Sequence, residues 1–456
     1  MKTLLTITIL ICLTFNLFSQ NWTKVDGVHD RIQKIKYDLS NPDRIIVSSN
    51  PFGIDLQSTF QIPAFILNTK AYGIQISNDG GKSFTETQTM DSVFVFDLVQ
   101  DSKDHDVWYA SVATDNNRIM IKSIDGGNSW DFEYSNCEGS DLIHNIVIAD
   151  DKMFAGAINT SNGLFSSDDN FATCLQNEIL NVSIRSFQYS EKFKSLVFSA
   201  DNKGKPGVYI SNDMGETWNK KDFGINGFRI HSVHRSEGYE DMYLCGADFV
   251  EIDKSTTPKG LFITTDYGTS WKSTSVLDMY VYDIVAHPKE PLLLAAACGE
   301  NGIYISGDGG FSWSDFNEDL NDTADIRKVL FPNYDKSKSG YRLLAGSFGE
   351  GMYISENVDP EIKGVLLKDN YSFDLEIYPN PTVDYINIKI KSDYNEILEM
   401  TITDLLGKKL KTYSKNVVKG ENIIKLENLS NLNSGNYFIY IRSNKTKMML
   451  SKFSIN

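Results

Sequence analysis

The chain has 456 residues, with 60 Asp plus Glu against 44 Lys plus Arg and a formal net charge of −16. That length exceeds the ~100–200 residues of an ordinary domain, so two domains are expected unless repeats build one large ring. The charge is uneven: residues 372–456 hold 12 Lys plus Arg against 9 Asp plus Glu, or +3, which leaves −19 for the remainder, speaks against nucleic acid or an anionic membrane as partner, and favours a neutral or cationic ligand.

Met1-Lys2, the apolar run from Leu4 to Phe18 and Ser19-Gln20 read as a secretory signal peptide over residues 1–19. Thr and Asn interrupt the run, and it is shorter than the ~20 residues needed to span a bilayer, so no transmembrane segment is expected. Removing the leader takes Cys12 with it. Of the remaining cysteines, Cys137 and Cys174 fall in adjacent repeats, as do Cys245 and Cys298, leaving two disulfides open in an oxidising compartment. Equivalent positions in neighbouring units are often too far apart to bond. No Cys-x-x-Cys pair suggests zinc, and neither a metal nor a cofactor is expected.

One phrase recurs six times: Ser77 to Phe84, Ser123 to Trp130, a worn copy from Ser167 to Cys174, Ser211 to Trp218, Thr264 to Trp271, and Ser306-Gly307-Asp308-Gly309-Gly310-Phe311-Ser312-Trp313. The steps between copies are 46, 44, 44, 53 and 42 residues, enough for about four short strands and their turns, as in a propeller blade. Asp accepts backbone N–H bonds inside a tight turn, Gly supplies positive φ, and the closing Trp or Phe packs the next strand. The phrase predicts a hairpin fastener.

An apolar-x-x-apolar inner strand recurs seven times, at Ile32/Ile35, Val95/Leu98, Ile143/Ile146, Ile184/Phe187, Ile230/Val233, Val281/Ile284 and Ile326/Val329. Seven second strands are apolar on consecutive residues, as strands buried on both faces should be. A seventh Gly-led strand, Gly351-Met352-Tyr353-Ile354-Ser355, has no phrase after it, while Asn21-Trp22-Thr23-Lys24-Val25 resembles the strand that follows a closing Trp. The start of the mature chain is therefore expected to complete the last blade and hide both sheet edges.

Ser-x-Asp-x-Gly-x-Ser/Thr-Trp resembles the Asp-box, or BNR repeat, of sialidases, xyloglucan-degrading glycosidases, sortilin-type receptors and photosystem assembly propellers. The resemblance covers roughly residues 21–357 and implies an all-β fold: a seven-bladed β-propeller over residues 20–360, closed by an N-terminal strand. It gives a structural role to Asp79, Asp125, Trp130, Asp169, Asp213, Trp218, Asp266, Trp271, Asp308 and Trp313. Boxes in those families sit away from the active site, so they report architecture rather than chemistry.

Residues 361–371 read as a linker. Beyond it come Ile377-Tyr378-Pro379-Asn380-Pro381, the alternating Tyr385 to Ile390, Asp404-Leu405-Leu406-Gly407-Lys408 and Ser434 to Ile441. Short alternating strands with turn signals predict a small antiparallel sandwich of Ig-like type. Residues 372–456 resemble the type A C-terminal sorting domain of the type IX secretion system. That resemblance implies the secretion machinery as a partner, passage through the periplasm and outer membrane, removal of the tail, and release or display at the cell surface.

The ligand site of a propeller usually lies at the channel mouth. The residue after the first apolar position of each inner strand is Gln33, Phe96, His144, Arg185, His231, Tyr282 and Arg327, and these seven are the candidate ligand-binding residues. The next residues, Lys34, Asp97, Asn145, Ser186, Ser232, Asp283 and Lys328, are also polar. One of these two rings is expected to face the channel, and because alternate side chains of an inner strand point at neighbouring blades, some of these residues are expected to pack between blades instead.

Asp97 and Asp283, the carboxylates of that second ring, are the candidate pair for a hydrolase of xyloglucanase type. A sialidase is disfavoured, because Phe228-Arg229-Ile230-His231 lacks the Pro of that family's motif and follows the fourth box. No Gly-x-Ser-x-Gly elbow or phosphate loop occurs. The segments Ser49 to Tyr72 and Gly246 to Lys259 read as long loops on the mouth face. The expected product is a monomeric, exported propeller that binds a glycan or protein, with a polysaccharide hydrolase as the alternative.

Overall fold

A computed structural model of the chain describes residues 22–49, 73–87, 93–113, 118–132, 142–158, 163–176, 182–200, 206–223, 225, 228–249, 260–334, 340–358, 376–392, 395–403, 409–443 and 449–455. The leader over 1–19, most of the segment from Ser49 to Tyr72, Cys137 and the linker over 361–371 lie outside them. Among the described residues the chain is all-β, and no helix is long and apolar enough to cross a membrane.

Between residues 22 and 358 the strands form seven antiparallel sheets. Their first strands are Ile32–Tyr37, Phe94–Gln100, Leu142–Ala149, Ile184–Ser190, Phe228–Arg235, Asp283–Ala286 and Ile326–Leu330. Each first strand touches the first strand of the next sheet, and the seventh returns to Ile32–Tyr37. Six sheets have four strands and the second has three among the described residues, with a lone Lys122–Asp131 bridge beyond its third strand.

The apolar core is divided into seven clusters, one at each seam between neighbouring sheets. Ile46 and Ile76 of the first sheet pack with Val95 and Trp108 of the second, and Val25, Leu344 and Met352 of the seventh close on Ile32 and Val47 of the first. This is why the second strands are apolar on both faces: each faces a seam on either side. Thr23–Val25 is the outer strand of the seventh sheet, with Lys24 opposite Tyr353, so the chain's two propeller ends share one sheet.

Each repeated phrase folds as one hydrogen-bonded unit. In the last copy the Ser306 hydroxyl donates to Asp308 Oδ1 at 2.8 Å and accepts the Gly310 N–H at 2.8 Å. Asp308 also accepts the Ser312 N–H and hydroxyl, at 3.0 and 2.6 Å. The worn copy keeps the same geometry through Ser167, Asp169 and Thr173, although Asn170 and Phe171 must adopt φ of 61° and 68°. Only Gly fits Gly310 in the last copy: its φ is +97°, and a Cβ there would stand 2.4 Å from Leu244 Cδ2 of the preceding sheet. The phrase thus fastens its own hairpin and seats it on its neighbour.

In the tail, Glu376–Tyr378, Ile386–Ser392 and Gly420–Leu426 form a three-stranded sheet, and Lys409–Val417, Glu396–Thr403, Gly435–Ser443 and Met449–Ile455 a four-stranded one. Alternate residues Ile386, Ile388 and Ile390 of the first share a core with Leu398, Met400, Ile402, Ile439 and Phe453 of the second. The Tyr378–Pro379 and Asn380–Pro381 bonds are both cis.

Two expectations need correction. Gly246 to Phe249 is not loop but the end of the strand Tyr243–Phe249. Cys245 and Cys298 are free, buried thiols, because they belong to different seam clusters of the fifth and sixth sheets. Cys174 is disulfide-bonded, its partner lying outside the described residues.

Candidate functional site

The inner strands carry an irregularity that no periodicity reveals. Pairing with the second strand skips a residue between Ile32 and Lys34, Val95 and Asp97, Ile184 and Ser186, Ile230 and Ser232, and Ile326 and Lys328. In the third sheet the skipped residue is His144, because Asn145 faces Gly156 and Ile143 faces Ala157. Six of the seven candidate binding residues are therefore the extra residue of a β-bulge; the seventh, Tyr282, lies just before Asp283, the first residue of its strand. A bulge breaks strict alternation and re-aims side chains.

The consequence is one cavity at the convergence of the inner strands, lined by Gln33, Lys34, His144, Asn145, Arg185, Ser186, His231, Tyr282, Asp283, Arg327 and Lys328, with Ile32 and Phe348. Consecutive residues of five sheets reach it together, in four of them at a bulge, so the expectation that a single ring faces the channel is corrected: residues of both rings line it. Of the candidates, Phe96 does not line the cavity and is buried.

The second ring also links sheets. Asp97 accepts the Leu98 N–H at 2.8 Å and, from the next sheet, the Ile146 N–H at 2.9 Å. Asp283 repeats the pattern with Ile284 at 3.1 Å and Val329 at 3.3 Å. Asn145 Nδ2 donates to Arg185 O at 2.9 Å, the Val233 N–H donates to Ser186 Oγ at 3.3 Å, and Ser232 Oγ donates to Val281 O at 3.1 Å. Lys34 spans the first and second sheets by an ion pair to Asp97 at 3.3 Å. Buried polar groups need such partners, and here they are recruited across the seams.

Charge in the cavity opposes the charge of the chain. Lys34, Arg185, Arg327 and Lys328 line it against the single carboxylate of Asp283. Burial, opposed by Asp283 and aided by the repulsion of Lys34, pushes the Lys328 amine down to about 8. Burial first, then Lys34, Lys328 and Arg185, hold His144 well below its ordinary value, so its ring is neutral. The lining is thus cationic although the chain as a whole is acidic.

Along one wall, rings and guanidinium groups alternate. Arg31 and Arg327 both lie over Phe348, at 5.1 and 3.8 Å, and Arg327 also lies 4.8 Å from the Tyr282 centroid. Asp325 holds Arg327 through Nε and Nη2 at 2.9 and 2.7 Å. Tyr282 continues to His231 and to the half-exposed Tyr280, with centroids 6.2 and 6.0 Å away. Neither Phe348 nor Tyr280 belongs to a recurring position, so neither was among the expected site residues.

Comparison with known proteins bears on fold and export. Residues 376–456 match the family of secretion system C-terminal sorting domains. The match implies export to the exterior or the cell surface by the type IX system, with its machinery as a partner. No curated protein matches the chain. Among solved structures, YCF48 bound to D1 peptide is 12% identical with a TM-score of 0.53, over 76% of this chain and all of YCF48. PorZ, a surface component of the type IX system of Porphyromonas gingivalis, is 14% identical with a TM-score of 0.51 over 94% of this chain and 59% of PorZ. A GH74 xyloglucanase from Xanthomonas campestris is 13% identical with a TM-score of 0.54 over 82% of this chain and 60% of the enzyme. The chain thus spans about three fifths of the length of those last two proteins. Likeness at this identity shows the fold alone, an all-β propeller followed here by a sorting domain.

Proposed function

We propose that residues 20–360 form a seven-bladed Asp-box propeller acting outside the cell as a monomeric binding module for a glycan or protein. Export begins with the signal peptide over 1–19, crosses the periplasm, and is directed by an Ig-like sorting domain over 372–456. One observation carries the binding role: a single cavity gathers Gln33, His144, Arg185, His231, Tyr282 and Arg327 from six of the seven inner strands. A ring converging its polar side chains on one point is how a rigid scaffold builds recognition. YCF48 is described with a bound D1 peptide, and the GH74 relative is a xyloglucanase, so both ligand classes occur on this fold.

The hydrolase alternative uses Asp97 and Asp283. Both carboxylates already accept backbone N–H groups from two sheets, which supports a linking role over general acid or base work. Incubating the purified chain with a panel of glycans separates the readings: retention without cleavage supports the binding module, and released product supports the hydrolase. If Arg185→Ala and Arg327→Ala leave every bound ligand as tightly held as before, the cavity is not the site.

A further inference from the structure

Resting on that reading of the cavity, we propose that its ligand is an acidic glycan, whose carboxylate or sulfate oxygens are held by Arg185, Arg327 and Lys328 while a sugar ring lies against the aromatic wall. The first part follows from charge. In a chain of formal net charge −16, four cationic side chains converge on the cavity against one lining carboxylate. Two further carboxylates lie nearby, Asp97 paired with Lys34 and Asp325 with Arg327, so the four cations exceed the three carboxylates by one. Like charges gathered this closely repel, and an oxyanion relieves that repulsion through charge-assisted hydrogen bonds.

The volume and the wall define the rest. A cavity of about 90 Å³ takes a charged group and little more, so the body of the ligand must lie at the rim. There Tyr280 is 41% exposed beside Tyr282, a surface that suits the apolar face of a sugar ring. A peptide would ask instead for backbone partners. Four main-chain groups beside the cavity are already engaged, Ile146 N and Val329 N by the linking carboxylates and Arg185 O and Val281 O by Asn145 and Ser232. The lining presents cationic side chains and ring faces, and these favour a glycan over a protein.

The test is calorimetric titration of the purified mature chain with four probes: an oligogalacturonate, a sulfated chondroitin oligosaccharide, a neutral xyloglucan oligosaccharide, and a short peptide with a free C-terminal carboxylate. Binding of the first or second is expected, and which of the two binds separates a carboxylate from a sulfate ester. The affinity should weaken about tenfold on Arg185→Gln, and by a similar factor when salt rises from about 50 to about 300 mM. The salt arm needs no variant and stands if Arg185→Gln misfolds. Binding of neither acidic glycan overturns the proposal. If the neutral glycan or the peptide binds instead and is lost on Arg185→Gln, the cavity is the site but its ligand class is wrong. An acidic glycan indifferent to Arg185→Gln and to salt means that the cavity reading itself fails.

Discussion

The indole of Trp22 donates its Nε1–H to the carbonyl oxygen of Phe316 at 2.9 Å, and its ring meets that of Phe316 edge-on with centroids 5.6 Å apart. Phe316 follows the outer strand of the sixth sheet, whereas the residues after Trp22 pair with the seventh. One side chain near the start of the described chain therefore pins the last two sheets together.

Trp22→Ala should cost about 3–5 kcal/mol, the range for a buried Trp truncation, and expose the seam between the sixth and seventh sheets. Thermal unfolding followed by circular dichroism measures it. A midpoint within error of the wild type would mean that the N-terminal strand is not structural.

At Gly310, alanine must adopt positive φ and push its Cβ against Leu244. The expected loss is about 1–3 kcal/mol from strain and overpacking, read by urea denaturation. An unchanged midpoint would show that the seam between the fifth and sixth sheets yields freely.

His234 is buried, and among the described residues neither of its ring nitrogens has a hydrogen-bond partner. Burial, and then Arg235, lower its pKa to about 4 from an ordinary 6.5. A base whose folded pKa is depressed binds fewer protons folded than unfolded, so stability is lost as pH falls from 6.5 towards 4. The window is worth roughly 3 kcal/mol at the 1.36 kcal/mol of each pKa unit. His234→Leu should flatten stability against pH across that window; a slope as steep as before would assign it elsewhere.

Lys328 titrates near 8 among Lys34, Lys36, Asp97 and Asp283, which places its loss of charge inside an accessible range. Affinity for an acidic glycan should fall as pH rises past 8, and Lys328→Gln should remove that fall while weakening binding at pH 7. Titrations at several pH values decide it, and the same pH profile in the variant would exclude the amine.

Burial pushes the Cys298 thiol up to about 12 and the Cys245 thiol well above its usual value. Neither should react with iodoacetamide in the folded chain, and both should react in guanidinium, as mass spectrometry of labelled peptides would show. Labelling of either under native conditions would place it at the surface.

The spacing of the repeated phrases located the hairpin turns because Ser, Asp and Gly act within eight consecutive residues, a range that local chemistry specifies. The candidate residues from Gln33 to Arg327 were legible for a similar reason: they recur at one offset in each inner strand. What escaped was nonlocal. A bulge exists only relative to the partner strand, so periodicity assigned Arg185 and Ser186 to opposite faces although both line the cavity. Net charge averages over a whole surface, so it missed four cations drawn from separate sheets to one point. Phe348 and Tyr280 lie in connections whose course the strand pattern does not set.

The extra residue of each bulge stands outside the ladder of its sheet, while in the second to fifth sheets the residue after it supplies a link to the next. At Arg185 and Ser186, a side chain offered to the cavity and a bond that holds neighbouring sheets together fall on consecutive residues. On the proposed binding role, evolution is free to rewrite Gln33, Arg185 or His231, and with them what the mouth accepts, while the bonds that Asp97, Asn145, Ser186 and Ser232 make between sheets stay in place.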